Sequence, residues 1–169
     1  MDFKNAEPYF LIRKEYMEKP IIDVCCGSRM FWFNKQNTNV EFMDIREEEF
    51  DIYDKHVCVK PTTLGDFRDM PFPDNSFYMV VFDPPHLRWA GKKSIMKAQY
   101  GELKETWPED IHRGFEECLR VLKPNGTLIF KWNETQIPLK DVLKCFPHEP
   151  LFGQKRQKTH WLVFMKGVD

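Results

Sequence analysis

The feature that most constrains the fold is an alternation of short apolar runs with segments of helical spacing. The strongest run is Phe77–Phe82, which has Asn75 before it and Pro84-Pro85 after it. Other runs cover 21–24, 40–44, 62–66, 127–132 and 160–165, and helical patterns follow Arg29, Thr106 and residue 138. Such alternation predicts an α/β domain in which strands joined by helical crossovers pair in parallel.

Two further segments do not fit the alternation of parallel strands and helices. Residues 50–59 are predicted to form a small hairpin, whereas 87–106 has no clear period and is expected to be a functional or mobile loop. Thr106 and Glu109 then have the spacing of a capping box, with Pro108 in the first turn of a helix. This helix is predicted to end before the turn 124–126 and to bury Ile111, Phe115, Cys118, Leu119 and Leu122.

Length and composition narrow the class of protein. The 169 residues predict one domain, with 1–19 as an N-terminal extension and no separate target-recognition domain. No apolar run approaches the ~20 residues that span a bilayer, and the first residues do not resemble a signal peptide. The missing apolar run leads us to expect no membrane partner. The five cysteines lack CxxC spacing, so we expect no metal cluster and a reducing cytoplasmic location.

Acidic residues stand at or beside the ends of four predicted strands. They are Asp23, Asp44, Asp66 and Asp83, and the carboxyl ends of parallel strands share one edge of a sheet. Asp44 follows Asp23 by 21 positions, where an acid usually binds a ribose diol. The loop 25–29 is not the GxGxxG of dinucleotide sites, which disfavours NAD or ATP.

The segment Asp83-Pro84-Pro85-His86 carries the sharpest chemical signal. Two prolines remove two backbone donors and fix an extended geometry, which leaves a carboxylate and bare carbonyl oxygens. Such acceptors suit a planar amino group, because binding both of its hydrogens out of plane makes the nitrogen lone pair nucleophilic toward an electrophilic methyl group. His86 is expected to offer a flat face that stacks on the ring of the acceptor.

Together these motifs resemble the class I S-adenosylmethionine-dependent methyltransferases, in the amino-methylating group marked by (D/N/S)PP(Y/F/W/H). The resemblance covers about 20–166, includes the turn at 120–128, and is similar in general shape to small phage and prophage enzymes. It implies a Rossmann-like, mostly parallel seven-stranded sheet with helices on both faces. The last strand, 160–165, is expected to be antiparallel and to lie beside 127–132.

The same resemblance implies the roles of individual residues. The catalytic motif is Asp83, Pro84, Pro85 and His86. S-adenosylmethionine, the implied cofactor, is expected to contact Asp23, Cys26, Gly27, Ser28, Asp44, Asp66 and Phe67.

Charge divides unevenly between the two halves of the chain. Residues 1–84 hold 10 Lys and Arg against 16 Asp and Glu, and residues 85–169 hold 15 against 10. Two basic clusters have neighbouring aromatic residues and suit either solvated loops or contacts to nucleic acid. The first cluster is Arg88, Lys92, Lys93 and Lys97, and the second is Lys155, Arg156 and Lys158. With Trp132 and Asn133, the candidate substrate contacts are Arg88, Trp89, Lys92, Lys93, Arg156 and Lys158.

The leading hypothesis is methyl transfer to an exocyclic amino group of a DNA or RNA base, with adenine N6 preferred over cytosine N4. The target base has to reach Asp83, so it is flipped from a duplex or taken from a single strand. Two alternatives stay open. One is an enzyme that methylates a protein glutamine or a small amine, and the other is a non-catalytic module that binds S-adenosylmethionine or nucleic acid.

Overall fold

The computed structural model describes residues 19–91, 95, 97 and 101–168. Within these residues six strands come first, and two helices and three further strands follow them. They are β1 (Ile21–Asp23), β2 (Val40–Asp44), β3 (Glu48–Ile52), β4 (Lys55–Val59), β5 (Thr63–Leu64), β6 (Phe77–Phe82), α1 (Trp107–Val121), β7 (Leu122–Asn133), α2 (Leu139–Leu143), β8 (Phe152–Arg156) and β9 (Thr159–Met165). No helix in this described part of the chain is long and apolar enough to cross a membrane.

Seven strands form one sheet in the order β5-β2-β1-β6-β7-β9-β8. Pairing is parallel except at β9, which runs antiparallel to β7 on one side and to β8 on the other. The predicted mostly parallel seven-stranded sheet, with the last strand antiparallel beside β7, is therefore confirmed. The predicted hairpin is confirmed as well, since β3 and β4 pair antiparallel in a separate sheet.

The main hydrophobic core joins α1 and α2 to the sheet. Phe115 of α1 stacks on Phe146, just after α2, with a ring-centroid distance of 4.0 Å, and its edge meets Phe164 of β9. Both helices contribute to this one cluster, whereas Val40 and Phe42 belong to a second cluster on the opposite face of β2. Gly114 lets α1 approach the sheet closely, because a Cβ atom there would lie 2.4 Å from the Phe67 ring.

The prediction of a helix after Arg29 is wrong, because residues 24–39 form turns. Arg29 has a left-handed backbone with φ of 55°, which interrupts helical geometry at its first residue. Side-chain oxygens of Asn34 and Asn37 then accept backbone N–H groups two residues later, at 3.0 and 3.1 Å. The apolar spacing instead places Trp32 against Phe42, with ring centroids 5.5 Å apart.

Two smaller expectations also differ from the structure. The capping box at α1 is not formed, because the Thr106 hydroxyl donates to Asp110 Oδ2 at 2.8 Å and caps no backbone N–H. Strand β8 was not predicted from the sequence. Its five side chains are all exposed, so the apolar alternation that marks a half-buried strand is missing.

Candidate active site

A cavity of about 410 Å³ opens at the carboxyl edge of the sheet, where β1, β2, β6 and β7 end. Ligands of open α/β sheets bind at this edge. The expected site residues that line the cavity are Cys26, Gly27, Ser28, Asp44, Phe67, Asp83 and Pro85. Residues from four separate segments of the sequence thus meet at one place.

Asp44 ties the loop after β1 to the end of β2. Its Oδ2 accepts the Gly27 N–H at 2.9 Å, and its Oδ1 accepts the Arg46 N–H at 3.0 Å. Gly27 has φ of 49°, a left-handed conformation that glycine adopts without strain. Beside it the Ser28 hydroxyl is buried and has no hydrogen-bond partner among the described residues, so a ligand in the cavity can satisfy it.

Asp23 lies fully buried beneath this loop and does not line the cavity. The Trp32 indole N–H donates to its Oδ2 at 2.7 Å, and the Cys25 N–H approaches its Oδ1 at 3.4 Å. Burial raises the pKa of Asp23 to about 7, and the charges of Asp83 and Asp44 act in the same direction, against the Trp32 hydrogen bond. Asp23 therefore changes its ionisation near neutral pH.

Asp83 forms a buried ion pair that sequence reasoning missed. The Lys131 ammonium donates to Asp83 Oδ2, and both side chains line the cavity. Lys131 Nζ also lies 5.4 Å from the ring centroid of Phe31 and 5.7 Å from that of Trp161. Burial raises the pKa of Asp83, and the positive charge of Lys131 opposes that increase.

The rest of the Pro-Pro segment divides between the cavity and the core. Pro85 lines the cavity, whereas Pro84 and His86 are buried behind it. The His86 ring meets Trp132 edge-on at 6.4 Å, and burial followed by the nearby Lys131 charge lowers the pKa of His86 to about 4. Trp132 is fully buried and donates its indole N–H to the Ile137 carbonyl at 3.0 Å. Neither ring lines the cavity.

Asp66 is engaged by a neighbouring arginine. Arg68 donates to its two carboxylate oxygens at 2.6 and 2.9 Å and reaches Asp110 of α1 at 2.8 Å. The hydrogen bonds from Arg68 lower the pKa of Asp66. The structure places Asp66 outside the cavity lining, although the next residue, Phe67, belongs to it.

The candidate substrate contacts lie at the same edge of the sheet. Arg88 and Trp89 are exposed, and both donate their backbone N–H groups to Gln136 Oε1, at 2.7 and 3.0 Å. Arg156 and Lys158 are also exposed, at the end of β8 and in the turn to β9. Lys92 and Lys93 fall outside the residues that the structure describes.

Residues 133–136, at the end of β7 and just after it, contact both basic clusters. Gln136 accepts the backbone N–H groups of Arg88 and Trp89, as described above. On the other side, Asn133 donates to Thr159 at 3.2 Å, and Glu134 accepts a hydrogen bond from Lys155 at 2.6 Å. Gln136 and Glu134 were not identified from the sequence. The only available signal was their position directly after a strand that ends at the carboxyl edge.

The hairpin also brings together three potential metal ligands, although none was expected from the sequence. Atoms of Glu49, His56 and Cys58 lie within 4.8 Å of one another. Glu49 and His56 are exposed and already paired, since Glu49 binds Lys60 at 2.5 Å and His56 Nδ1 lies 2.7 Å from Asp51. We assign no ion to this group.

Comparisons with known proteins agree with the geometry at the level of the fold. No known sequence family matches the chain, and no curated protein matches it. Among solved structures, the PH0226 protein of Pyrococcus horikoshii OT3 aligns with a TM-score of 0.60, 15% identity and coverage of 96% of this chain and 89% of that one.

Two further solved structures, one of them named as a methyltransferase, also align with the chain. A SAM-dependent methyltransferase of Aquifex aeolicus aligns with a TM-score of 0.51 and 12% identity over 98% of this chain and 94% of its own. TrmN of Thermus thermophilus gives a TM-score of 0.52 and 14% identity over 94% of this chain and 47% of its own. The chain has the fold of SAM-dependent methyltransferases. At these identities the likeness establishes the fold, and the chemistry has to be argued from the cavity.

Proposed function

We propose that this protein is an S-adenosylmethionine-dependent N-methyltransferase that acts on an exocyclic amino group of a nucleic-acid base. Adenine N6 is the preferred acceptor and cytosine N4 the second. The observation that carries the proposal is the cavity at the carboxyl edge of the sheet, in which Asp83 and Pro85 face the Gly27 loop and Asp44.

The cavity fits the cofactor in size and in polar groups. Its volume of about 410 Å³ falls within the ~300–1,000 Å³ usual for ligand sites. The buried Ser28 hydroxyl and the Gly27 loop are suited to the methionine part, and Asp44 is suited to the ribose hydroxyls. Phe67 offers an apolar surface and Cys26 lines the same cavity. The two other expected contacts, Asp23 and Asp66, lie outside the lining, so they carry no part of this fit. When bound, S-adenosylmethionine supplies a methyl group on a sulfonium cation.

Asp83 is proposed to bind and activate the acceptor. Its carboxylate and a carbonyl of the Pro84-Pro85 segment accept the two amino hydrogens, which frees the nitrogen lone pair from conjugation. Asp44, Ser28 and the Gly27 loop would hold the S-adenosylmethionine whose methyl group this nitrogen would receive, with the electron pair of the broken carbon–sulfur bond going to sulfur. The nitrogen then loses one proton, which the Asp83 carboxylate accepts before releasing it to water.

The ion pair with Lys131 favours a neutral acceptor. Asp83 and Lys131 together carry no net charge when both are ionised, so the pair does not attract a protonated amine. A base amino group and a glutamine amide are neutral and planar, whereas an alkyl amine is cationic at neutral pH. This supports the base over the small amine, and the protein glutamine becomes an outcome of the test.

Exposed cations and one exposed ring at the carboxyl edge of the sheet support a nucleic acid as the larger substrate. Arg88 and Trp89 follow the Pro-Pro segment directly, and Arg156 and Lys158 extend the same edge across β8. Cations bind phosphates, and an exposed indole stacks on an unpaired base.

The test incubates the purified protein with methyl-labelled cofactor and separate pools of DNA, RNA, protein and nucleosides. We expect label in DNA or RNA, recovered after digestion as N6-methyladenine or N4-methylcytosine. Asp83→Ala should retain cofactor binding and lose transfer by roughly 10²-fold or more, as expected for a positioned polar group. Asp54→Ala, at the exposed hairpin turn, is the matched control. Label found only in protein, or a near-normal rate for Asp83→Ala, contradicts the proposal.

A salt titration tests the interface separately from the chemistry. Each phosphate contact contributes about −0.9 to the log–log slope on duplex and about −0.7 on single strands. Replacing Arg156 and Lys158 by Ala should flatten the slope by up to roughly two contacts and leave cofactor binding intact. Lys123→Ala, at the opposite end of β7, should change neither. An unchanged slope in the double variant contradicts a role of this edge in binding phosphates.

A further inference from the structure

Strand β7 places one lysine on the cavity side of an otherwise apolar stretch. Leu128, Phe130 and Trp132 are fully buried in the core, and Lys131 points to the other face. Parallel register pairs Phe82 with Phe130, so the next residues along the two strands, Asp83 and Lys131, stand side by side. Their side chains are only 8% and 18% exposed.

Aromatic rings restrict the position of the Lys131 ammonium. Trp161 is the register partner of Lys131 on β9, and Phe31 packs edge-on against Trp161 with a centroid distance of 5.4 Å. The ammonium lies within 6 Å of both ring centroids while it donates to Asp83. Since burying two charges costs free energy that an apolar pair would not, the folded core alone gives no reason for this arrangement.

We propose that Lys131 is a positioning residue that keeps Asp83 ionised and aimed into the cavity, so that Asp83 can accept hydrogens from the acceptor amino group. The inference rests on the proposed function for its catalytic consequence. Its electrostatic part concerns this chain alone and can be measured without an acceptor.

The groups that face Asp83 determine how its ionisation responds to the loss of Lys131. Asp23 faces it from β1, the Cys25 thiol from the next loop and Lys131 from β7, while His86 in its own segment interacts with the charge of Lys131. Burial raises the pKa of Asp83, Lys131 lowers it, and a charged Asp23 disfavours a second carboxylate. Without Lys131, Asp83 therefore stays protonated to higher pH.

A protonated Asp83 is a poorer acceptor, because one of its oxygens carries the proton and becomes a donor. We therefore expect the acid limb of the rate profile of Lys131→Met to move to higher pH. Asp83 titrates together with the ionisable groups around it, so the midpoint of the acid limb reports the coupled groups and not Asp83 alone. For this reason the decisive measurement is made on Asp83 itself.

The experiment follows the carboxyl carbon of Asp83 by NMR in protein labelled with ¹³C-aspartate, and the resonance is assigned by its loss in Asp83→Asn. Lys131→Met should raise the titration midpoint by one pH unit or more, a tenfold change in the ionisation constant. Lys123→Met is the matched control, since that lysine lies on the same strand and 3.9 Å from the Tyr78 ring but far from Asp83. Lys131→Arg keeps a cation and should titrate near the wild-type midpoint.

The outcomes separate the two proposals. An unchanged midpoint in Lys131→Met, or equal shifts in Lys131→Met and Lys131→Arg, overturns the role of Lys131. If Lys131→Met does not fold, a wild-type midpoint in Lys131→Gln overturns it equally. A raised midpoint in a protein that methylates no nucleic acid supports the role of Lys131 and refutes the acceptor class.

Discussion

Replacing Asp23 by Asn should make the folded protein more stable at neutral and alkaline pH. Asp23 is fully buried, and its carboxylate keeps only the Trp32 N–H and a long contact to the Cys25 N–H. The Asn carbonyl oxygen can accept the same Trp32 N–H without placing a charge in the core. The substitution thus removes the burial of a charge and keeps the hydrogen bond.

The size of the effect follows from the pKa of Asp23, which is about 7 in the folded chain and near 3.8 in an unfolded one. Between these values the folded chain binds a proton that the unfolded chain has lost. Stability is therefore highest below the unfolded pKa and falls as pH rises toward 7. At about 1.4 kcal/mol per pKa unit the whole loss is about 4 kcal/mol, of which about 2–3 kcal/mol falls between pH 5 and pH 8.

Urea unfolding at pH 5, 6, 7 and 8, followed by tryptophan fluorescence, measures this loss as a difference between two proteins. Relative to wild type, Asp23→Asn should gain about 2–3 kcal/mol of unfolding free energy from pH 5 to pH 8, at an unchanged m-value. Other titrating groups cancel in this difference. Asp54→Asn, on the exposed hairpin turn, should keep the wild-type pH dependence. A difference between Asp23→Asn and wild type that stays constant with pH refutes the reasoning.

Three further perturbations test separate parts of the structure. Asp44→Ala removes the acceptor of the Gly27 N–H, and it should abolish most of the rise in melting temperature that S-adenosylmethionine causes in a fluorimetric scan. Gln136→Ala frees the backbone at 88–89, so it should raise KM for the acceptor in steady-state kinetics with little effect on cofactor affinity. Gly114→Ala places a Cβ atom 2.4 Å from Phe67, and it should cost about 1–3 kcal/mol of stability in urea.

The strands and the helix that show a regular spacing of apolar residues were predictable from the sequence. Strands β2 and β6 have the expected bounds, and the long helix buries Ile111, Phe115 and Cys118 as expected. Leu119 is only partly buried, and Leu122 is the first residue of β7 because the helix ends at Val121. The convergence of Asp44 and Asp83 on one cavity also follows, because parallel strands share a carboxyl edge.

Features that depend on tertiary contacts were not predictable in this way. The pairing of Lys131 with Asp83 depends on the register between β6 and β7, which no local pattern contains. His86 was expected to face the acceptor, but packing against Trp132 buries it. The aromatic spacing after Arg29 resembles a helix and instead serves contacts from turns, among them the Trp32 hydrogen bond to Asp23.

The titration of Asp23 should also couple cofactor binding to protons. Because S-adenosylmethionine carries a sulfonium cation, its binding above Asp23 favours the ionised carboxylate and releases a proton wherever free Asp23 is protonated. Affinity should therefore rise with pH up to about 7 and level off above it. Calorimetry at pH 6 in two buffers of different ionisation enthalpy measures the released proton. Asp23→Asn should release none and bind with an affinity that does not change between pH 5.5 and 8. Equal proton release by wild type and Asp23→Asn assigns the linkage to another group.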